Sequence, residues 1–357
     1  MNVHVPQSHE SQSELNTFMT MDKLLLNEMD GSSTVSLIMD AVLVAYWLSN
    51  DQCRLSTATF NDFAFQVSRC YQQHHETSKT SDTHHPSTIA RAIDMQPDDE
   101  GHYSGYQALS LLFPTTFTYH RHSVKIDDGH FIHGRLTKKT LGRSKGAITH
   151  CLSLYHGERA ASAFLSVAGT VLCWLAGRVG FTMGICNTIV GDESLRQRMG
   201  NAIACMGQYI EGEAKRMLAK GVSAESVEIA VKDSVEAILP RASSMVLDSV
   251  DNGRFVNDEN GLIDMITCGS KGSLVNLGQM CSTLGQMSLN GQRIHTHTGG
   301  AVKRTLPNQS KPNPCHAAVS LKDAGFIRSS LRDGLTPSEF FFSAQSGRQV
   351  RVRRLYR

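Results

Sequence analysis

No two cysteines in this chain form a C-x-x-C pair, although there are nine of them: Cys53, Cys70, Cys151, Cys173, Cys186, Cys205, Cys268, Cys281 and Cys315. That spacing leaves no zinc ribbon and no thioredoxin-type motif, and it reads as free thiols in a reducing compartment. Net charge is equally scarce. Lys and Arg number 35 against 33 Asp and Glu, a balance of +2, so whole-chain electrostatics make no case for nucleic acid and any such contact has to be local. The stretch Met1 to Glu14 is polar and contains Pro6, without the basic and then apolar pattern of a secretory signal, which points to an intracellular protein. Ala160 to Gly177 is apolar enough to raise the question of a membrane span, but it holds Ser162, Ser166, Gly169 and Thr170 and falls short of a full crossing. A buried helix and no membrane partner are expected. The G-x-x-x-x-G-K-[ST] spacing of a phosphate-binding Walker loop is absent from the one glycine turn that carries a lysine.

What is present is ordinary globular material: 357 residues, 40% hydrophobic, enough for two or three small domains. Ser13 to Val44 fits two short helices, with Leu15, Phe18 and Met19 and then Ile38, Met39, Val42 and Leu43 at helical intervals. Gln72 to Glu100 is rich in His, Thr, Ser and Asp and reads as an exposed loop, with His74, His75, His84 and His85 as solvated side chains rather than metal ligands. Leu109 to Pro114 reads as an apolar strand. From Ser123 to Leu141 the pattern is strand, Asp127-Asp128-Gly129 turn, strand. In an extended run the adjacent Lys138 and Lys139 would face opposite sides, leaving only one of them for a phosphate.

Asp192 to Lys220 is the clearest helix, with Leu195, Met199, Ala202, Ile203, Met206, Ile210, Ala214 and Met217 in a stripe and Gly221 placed to stop it. Ser223 can cap a second helix that turns Val227, Ala230, Val231, Ile238 and Leu239 back toward the first, giving an antiparallel hairpin. Pro240 removes an N–H, so a kink or helix end is expected near Leu239.

Cys268 to Arg293 combines a small-residue turn, one lysine and a row of amides. Gly269, Ser270, Gly272 and Ser273 flank Lys271, so an anion could approach the backbone N–H groups closely, with Lys271 as the cation of the pocket. Behind it, Leu274, Leu277, Cys281 and Leu284 recur at helical spacing while Asn276, Gln279 and Gln286 punctuate them, which reads as one helix with an apolar back and an amide front. On spacing alone this is equally a glycine-started amphipathic helix with surface amides. Further on, Thr336 at the N-cap, Pro337 at N1 and Glu339 at N3 make a capping box that starts a helix.

These motifs, taken in order, resemble the largest subunit of multisubunit DNA-directed RNA polymerases of the eukaryotic and large-DNA-virus type. The resemblance rests on Met1-Asn2-Val3-His4-Val5-Pro6-Gln7-Ser8, on Tyr103-Ser104-Gly105-Tyr106-Gln107, on the run Lys138-Lys139-Thr140-Leu141-Gly142, and on Gly180-Phe181-Thr182-Met183-Gly184-Ile185. It continues through G-S-K-G-S at 269–273, Arg304-Thr305-Leu306-Pro307, and Gly334-Leu335-Thr336-Pro337-Ser338-Glu339-Phe340-Phe341-Phe342. Tyr106 stands where the family has a basic residue, Cys186 and Asn187 where Gly and Asp are usual, and Ser343, Gln345 and Gln349 where His, Met and Glu are usual.

The resemblance implies an α+β fold: a pore domain of small strands and helices, a funnel helical hairpin and the start of a bridge helix. The segments expected are 1–50 after the catalytic aspartate loop, 51–188 as pore domain, 189–324 as funnel hairpin and pore-wall helix, 325–349 as bridge-helix start and 350–357 as an unrelated basic tail. It implies a part in DNA-templated RNA synthesis, a nucleotidyl transfer, with Lys271, Asn276, Gln279, Gln286 and Arg293 lining the nucleotide-entry pore. Thr336, Pro337, Glu339, Phe340 and Arg348 would begin the bridge helix. Catalytic Mg²⁺ would be bound by aspartates outside this sequence, so the chain is expected to be inactive alone and to hold no metal, zinc included.

Implied partners are the other polymerase subunits, among them the second-largest and the piece bearing the aspartate loop, with template DNA, RNA, nucleoside triphosphates and a transcript-cleavage factor at the funnel. The location would be the nucleus, or the cytoplasm or virion for a viral copy. A split subunit, an intron- or intein-bounded piece and a decaying gene fragment all fit the sequence, and a non-catalytic module that binds funnel-docking factors is the second class of function.

Overall fold

The computed structural model describes residues 3–78, 88–189, 193–251, 260–294 and 320–355. Arg304 to Pro307, His84 and His85 lie outside them. Small antiparallel sheets accompany a majority of helix, the expected α+β class. Two compact units are present, one formed by Met1–Thr182 with Ile263–Lys271 and the other by Met183–Leu262 with Gly272–Arg357.

In the first unit α1 (His9–Phe18) buries no side chain, while α2 (Asp40–Leu48) is buried along almost its whole length. Ile38 is exposed and Met39 has φ 48°, so the second helix starts later than its apolar spacing suggested. Strand β1 (Arg54–Ser56) pairs with β2 (His102–Ser104), and between them lie α3 (Thr57–Ser78) and α4 (Thr88–Asp94). The loop expected over Gln72 to Glu100 is therefore helical from Gln72 to Ser78 and from Thr88 to Asp94. Gln72 to His75 suit a helix as well as a loop, and Arg91 ties α4 down by donating to the carbonyls of Phe113 and Gly129 at 2.8 and 3.2 Å.

A capping box of Ser104 and Gln107 starts α5 (Gly105–Ser110), and the chain continues through Phe113 in turns rather than as the expected strand. The S-x-x-Q spacing carried that signal. Strands β3 (Tyr119–Arg121), β4 (Val124–Asp127) and β5 (His130–His133) form an antiparallel meander, turning at Asp128 and Gly129 with φ 47° and 74°.

A short α6 (Lys138–Leu141) follows. Thr137 caps it, so Lys138 and Lys139 sit on a helical turn, about 100° apart, and not on the opposite faces of an extended run. Helix α7 (Ile148–Val179) has the apolar length of a membrane span, but Phe164, Val167, Ala168, Val171, Leu172 and Leu175 are buried in the core with Phe60, Phe63 and Phe113. It is interrupted at Gly157, whose φ of 85° and ψ of 164° are not helical.

In the second unit a 3₁₀ turn, Ile185–Thr188, precedes α8 (Glu193–Ala219), α9 (Ala224–Glu236) and α10 (Ile238–Asp251). The Asn187 side chain accepts from the Gly184 N–H at 2.8 Å, so the amide fills the capping place where the family has an aspartate. Met199, Ile203, Ile210 and Ala214 are buried, and all but the first share a cluster with Val227, Val231, Val235 and Ile238, the stripe read from the sequence. Gly221 has φ 77° and Ser223 caps α9 by accepting from the Ser226 N–H. The break at Pro240 falls earlier than expected. Helix α9 ends at Glu236 and Pro240 occupies the first turn of α10, where a missing N–H costs nothing.

After α11 (Gly261–Cys268), whose residues from Ile263 on belong to the first unit, α12 (Leu274–Cys281) runs for only two turns. The helix expected to continue through Gln286 ends at Ser282, because Gly285 takes φ 81° and β6 (Gly285–Gln286) pairs with β9 (Phe326–Ile327). Strands β7 (Ser288–Leu289) and β8 (Gln292–Arg293) then form a hairpin on Asn290 and Gly291, both at positive φ, the Asn-Gly turn that the helical periodicity had concealed. The last helix, α13 (Pro337–Leu355), is unbroken across residue 350, where the tail was expected to separate.

Candidate functional site

The glycine turn belongs to the first unit as far as Lys271, and Gly272 with the amide-bearing segments to the second. Gly269 and Gly272 hold φ of 77° and 80°, a backbone that the small residues allow and a side chain would strain. The turn is tied back to α11 by Gly269 N–H to the Ile266 carbonyl at 3.2 Å and Ser270 Oγ to the Met265 carbonyl at 3.3 Å. Lys271 is left exposed at its tip. A Cβ placed on Gly269 would lie 3.0 Å from Lys138 Cβ, so the turn rests on the stem of a second lysine 131 positions away. Lys138 and Lys139 are exposed as well, and the stem of Lys138 brings a second, distant motif of the sequence up to this turn.

In the second unit the four expected polar groups take different places. Asn276 is exposed on the first turn of α12, where its backbone N–H and Oδ1 engage the capping Ser273 hydroxyl, the latter at 2.7 Å. Gln279 lies on the same helix, partly buried, with its carbonyl accepting from the Leu331 N–H at 3.1 Å. Gln286 sits on β6 instead, and its Nε2 donates to the carbonyls of Met287 and Ala324 at 2.8 and 2.7 Å, closing β6 over the segment before β9. Arg293 is buried on β8, its Nε and Nη2 held by the two carboxylate oxygens of Glu228 on α9 at 2.6 and 2.5 Å. Asn276, Gln279 and Gln286 do not form one amide face, and Arg293 joins the helical hairpin to the strands rather than lining a surface.

The capping box at α13 is present, and it does more than the sequence indicated. Glu339 N–H donates to Thr336 Oγ1, while the Thr336 N–H and hydroxyl both donate to Glu339 Oε2 at 3.0 and 2.8 Å. The same carboxylate accepts from the Arg328 and Ser329 N–H groups at 3.1 and 3.2 Å and from the Ser329 hydroxyl at 2.9 Å. Burial pushes the Glu339 pKa up, but the hydrogen bonds from Thr336 and Ser329 outweigh it and hold the carboxyl below the usual glutamate range. Pro337 opens the helix, Phe340 is exposed, and Phe342 is buried against Leu284, Ile294 and Ile327.

Arg348 is exposed one position before Gln349, whose amide exchanges hydrogen bonds with Asn290 in the hairpin turn: the Asn290 N–H donates to Gln349 Oε1 at 3.1 Å, and Gln349 Nε2 donates to Asn290 Oδ1. Ser346 adds a bond to the Ser288 carbonyl at 3.3 Å. Sequence reasoning missed Glu228, Asn290 and the second role of Glu339. Only the Asn-Gly dipeptide offered a local signal, since the other partners are distant in sequence.

No three His, Cys, Asp or Glu side chains among the described residues are arranged to hold a metal. The arrangement presents cations and amides for anionic or polar ligands and a rigidly capped helix beside a clamped hairpin.

A family model described as RNA polymerase Rpb1, domain 3, matches residues 24–188, and one described as RNA polymerase Rpb1, domain 4, matches residues 213–317. The chain is 24% identical to the DNA-directed RNA polymerase subunit Rpo1N of Halobacterium salinarum, over 98% of its own length and 34% of that protein's. It is 26% identical to the subunit of the same name from Methanocaldococcus jannaschii, over 98% and 25%. It is also 25% identical to a probable DNA-directed RNA polymerase II subunit RPB1 homolog of Invertebrate iridescent virus 6, over 98% and 34%. The chain thus spans a quarter to a third of the length of these relatives.

Proposed function

Because the chain belongs to the family of the largest subunit of DNA-directed RNA polymerases, we propose that it supplies pore and funnel walls and the start of the bridge helix to an assembled polymerase engaged in DNA-templated RNA synthesis. The observation that carries this reading is the lysine turn. Gly269 and Gly272 open the backbone, and the stem of Lys138 supports it from below, so Lys271 is presented at a point an incoming triphosphate could pass. A lysine there acts as a mobile point charge on phosphate. Asn276, Gln279 and Gln286 contribute polar wall in the second unit, and Thr336, Pro337, Glu339, Phe340 and Arg348 form the bridge-helix start.

In this reading catalytic Mg²⁺ is held by the family's aspartates, outside these 357 residues. The partners are the second-largest subunit, the piece that carries the aspartate loop, template DNA, RNA, nucleoside triphosphates and a cleavage factor at the funnel. The setting is intracellular.

The test is co-expression with those two subunits, followed by RNA extension on the purified assembly. Wild type should co-purify with both, and Lys271→Ala should raise the KM for nucleoside triphosphates about tenfold, the scale of one lost charged hydrogen bond. Capture of no polymerase subunit removes the assembly reading. Co-purification with an unchanged KM removes the role of Lys271 alone.

A further inference from the structure

In the first unit a cavity of about 360 Å³ lies between β3, with the residues just before it, and the start of α7. Cys151 and Tyr155, one turn apart on α7, put it on the flank of that helix. Its floor is closed, because the Tyr119 hydroxyl and the Cys151 thiol both donate to the Gly146 carbonyl, at 3.0 and 3.7 Å. Every lining residue falls within 116–156, so the cavity belongs to the first unit alone and Lys271 has no part in it.

The polar groups left over in this cavity are donors, and no Asp or Glu lines it. The Arg121 guanidinium and the Thr116 hydroxyl make no hydrogen bond among the described residues. Thr118 Oγ1 accepts from the Asp128 N–H at 3.5 Å, which leaves its own proton free to donate. Arg121 is braced as well as unpaired: a Cβ on Gly146 would lie 2.6 Å from Arg121 Nη1, so the guanidinium rests where a side chain would displace it. His120 adds no free charge, since Asp127 binds it together with Lys125, the latter at 2.9 Å. Burial pushes the His156 pKa below the usual imidazole range, leaving a neutral ring with one N–H to donate.

We propose that this cavity binds a small phosphomonoester that carries a planar ring. A phosphate dianion presents acceptors alone, and it matches the planar fork of a guanidinium through two hydrogen bonds. Its three oxygens can use that fork and the two threonine hydroxyls at once, whereas a carboxylate, with two oxygens, leaves a donor over. The volume is more than a bare phosphate fills and sits at the small end of ligand clefts, which start at about 300 Å³. Tyr155 bounds the remainder, and its exposed ring offers a face on which a planar group stacks. The inference rests on this cavity and is independent of any polymerase assembly.

The experiment is calorimetric titration of the full chain with phenyl phosphate, inorganic phosphate and benzoate. Phenyl phosphate should bind most tightly of the three. Arg121→Gln should weaken it about tenfold or more, the scale of one lost charged hydrogen bond. Tyr155→Ala should weaken phenyl phosphate about threefold and leave inorganic phosphate unchanged, since the ring contact alone is removed. Both side chains are exposed, so neither change removes core packing; circular dichroism checks that helix content is retained, and Thr116→Val, expected to cost about threefold, gives a third reading through one donor. No saturable binding of phenyl phosphate at millimolar concentration, equal affinity in wild type and Arg121→Gln, or tighter binding of benzoate than of phenyl phosphate overturns the proposal. Equal loss of both phosphates in Tyr155→Ala overturns the planar ring.

Discussion

Arg293 and Glu228 meet as a two-point pair inside the second unit, Nε and Nη2 against the two carboxylate oxygens at 2.6 and 2.5 Å, with the arginine side chain fully buried. They are 65 positions apart and join β8 to α9. A buried pair of this kind says little about net stability, because desolvation offsets the attraction, but removing one partner leaves the other charge stranded.

Arg293→Ala is therefore expected to cost about 3–5 kcal/mol in the second unit, whereas replacing Arg293 and Glu228 together by Met and Leu should recover most of that loss. Thermal unfolding of both variants decides. Equal destabilisation by the single and double changes would mean that the pair is incidental.

Glu339 should make the start of α13 acid-sensitive. Its carboxyl is held below the usual glutamate range in the fold, so the stability it lends is fully present above the unfolded-state value and fades as pH falls through the lower, folded value. Hydrogen-exchange protection of the Arg328, Ser329 and Thr336 amides should fall together once pH drops below the ordinary glutamate range. Glu339→Gln should remove that pH step and cost about 1–3 kcal/mol at neutral pH.

Gly278 is expected to resist enlargement. A Cβ there would come 2.0 Å from Ser243 Oγ and 3.2 Å from Ser243 Cα on α10. Gly278→Ala should therefore lower stability by about 1–3 kcal/mol, and Ser243→Gly in the same chain should restore part of it. Denaturant titration of the two variants measures the coupling.

Gln349 replaces the glutamate that the polymerase family places after Gly-Arg, and the structure gives it a reason. An amide can accept from the Asn290 N–H and donate to Asn290 Oδ1, and a carboxylate can only accept. Gln349→Glu should loosen the hairpin by about 0.5–1.5 kcal/mol, seen as faster exchange at Asn290 and Gly291. Unaltered exchange would dismiss the amide pair as a surface coincidence.

Local signals carried the elements that need only near neighbours. The cap of Thr336 and Glu339, the stop at Gly221, the turn at Asp128 and Gly129 and the stripe of α8 each follow from residues within one or two turns, and each is present. What could not be read depends on distant or competing chemistry. Leu284 and Gln286 kept helical spacing with α12 by coincidence, while Gly285 and the pairing with Phe326 and Ile327 made them strand and loop edge. Arg293 looked like a wall residue because nothing in its own neighbourhood announces Glu228. The support of Lys271 by Lys138 depends on two motifs meeting, which spacing within either one cannot express.

Gly157 divides α7 into two hydrogen-bonded rods, Ile148 to His156 and Glu158 to Val179, since its φ of 85° breaks the ladder between them. Helical order propagates only along an unbroken ladder. The shorter rod shows Leu154 and Tyr155 to solvent but buries Ile148, Cys151 and Leu152 in the same core as the longer one, so Gly157 acts as an elbow that lets two helical axes of one continuous segment pack independently on a shared apolar interior.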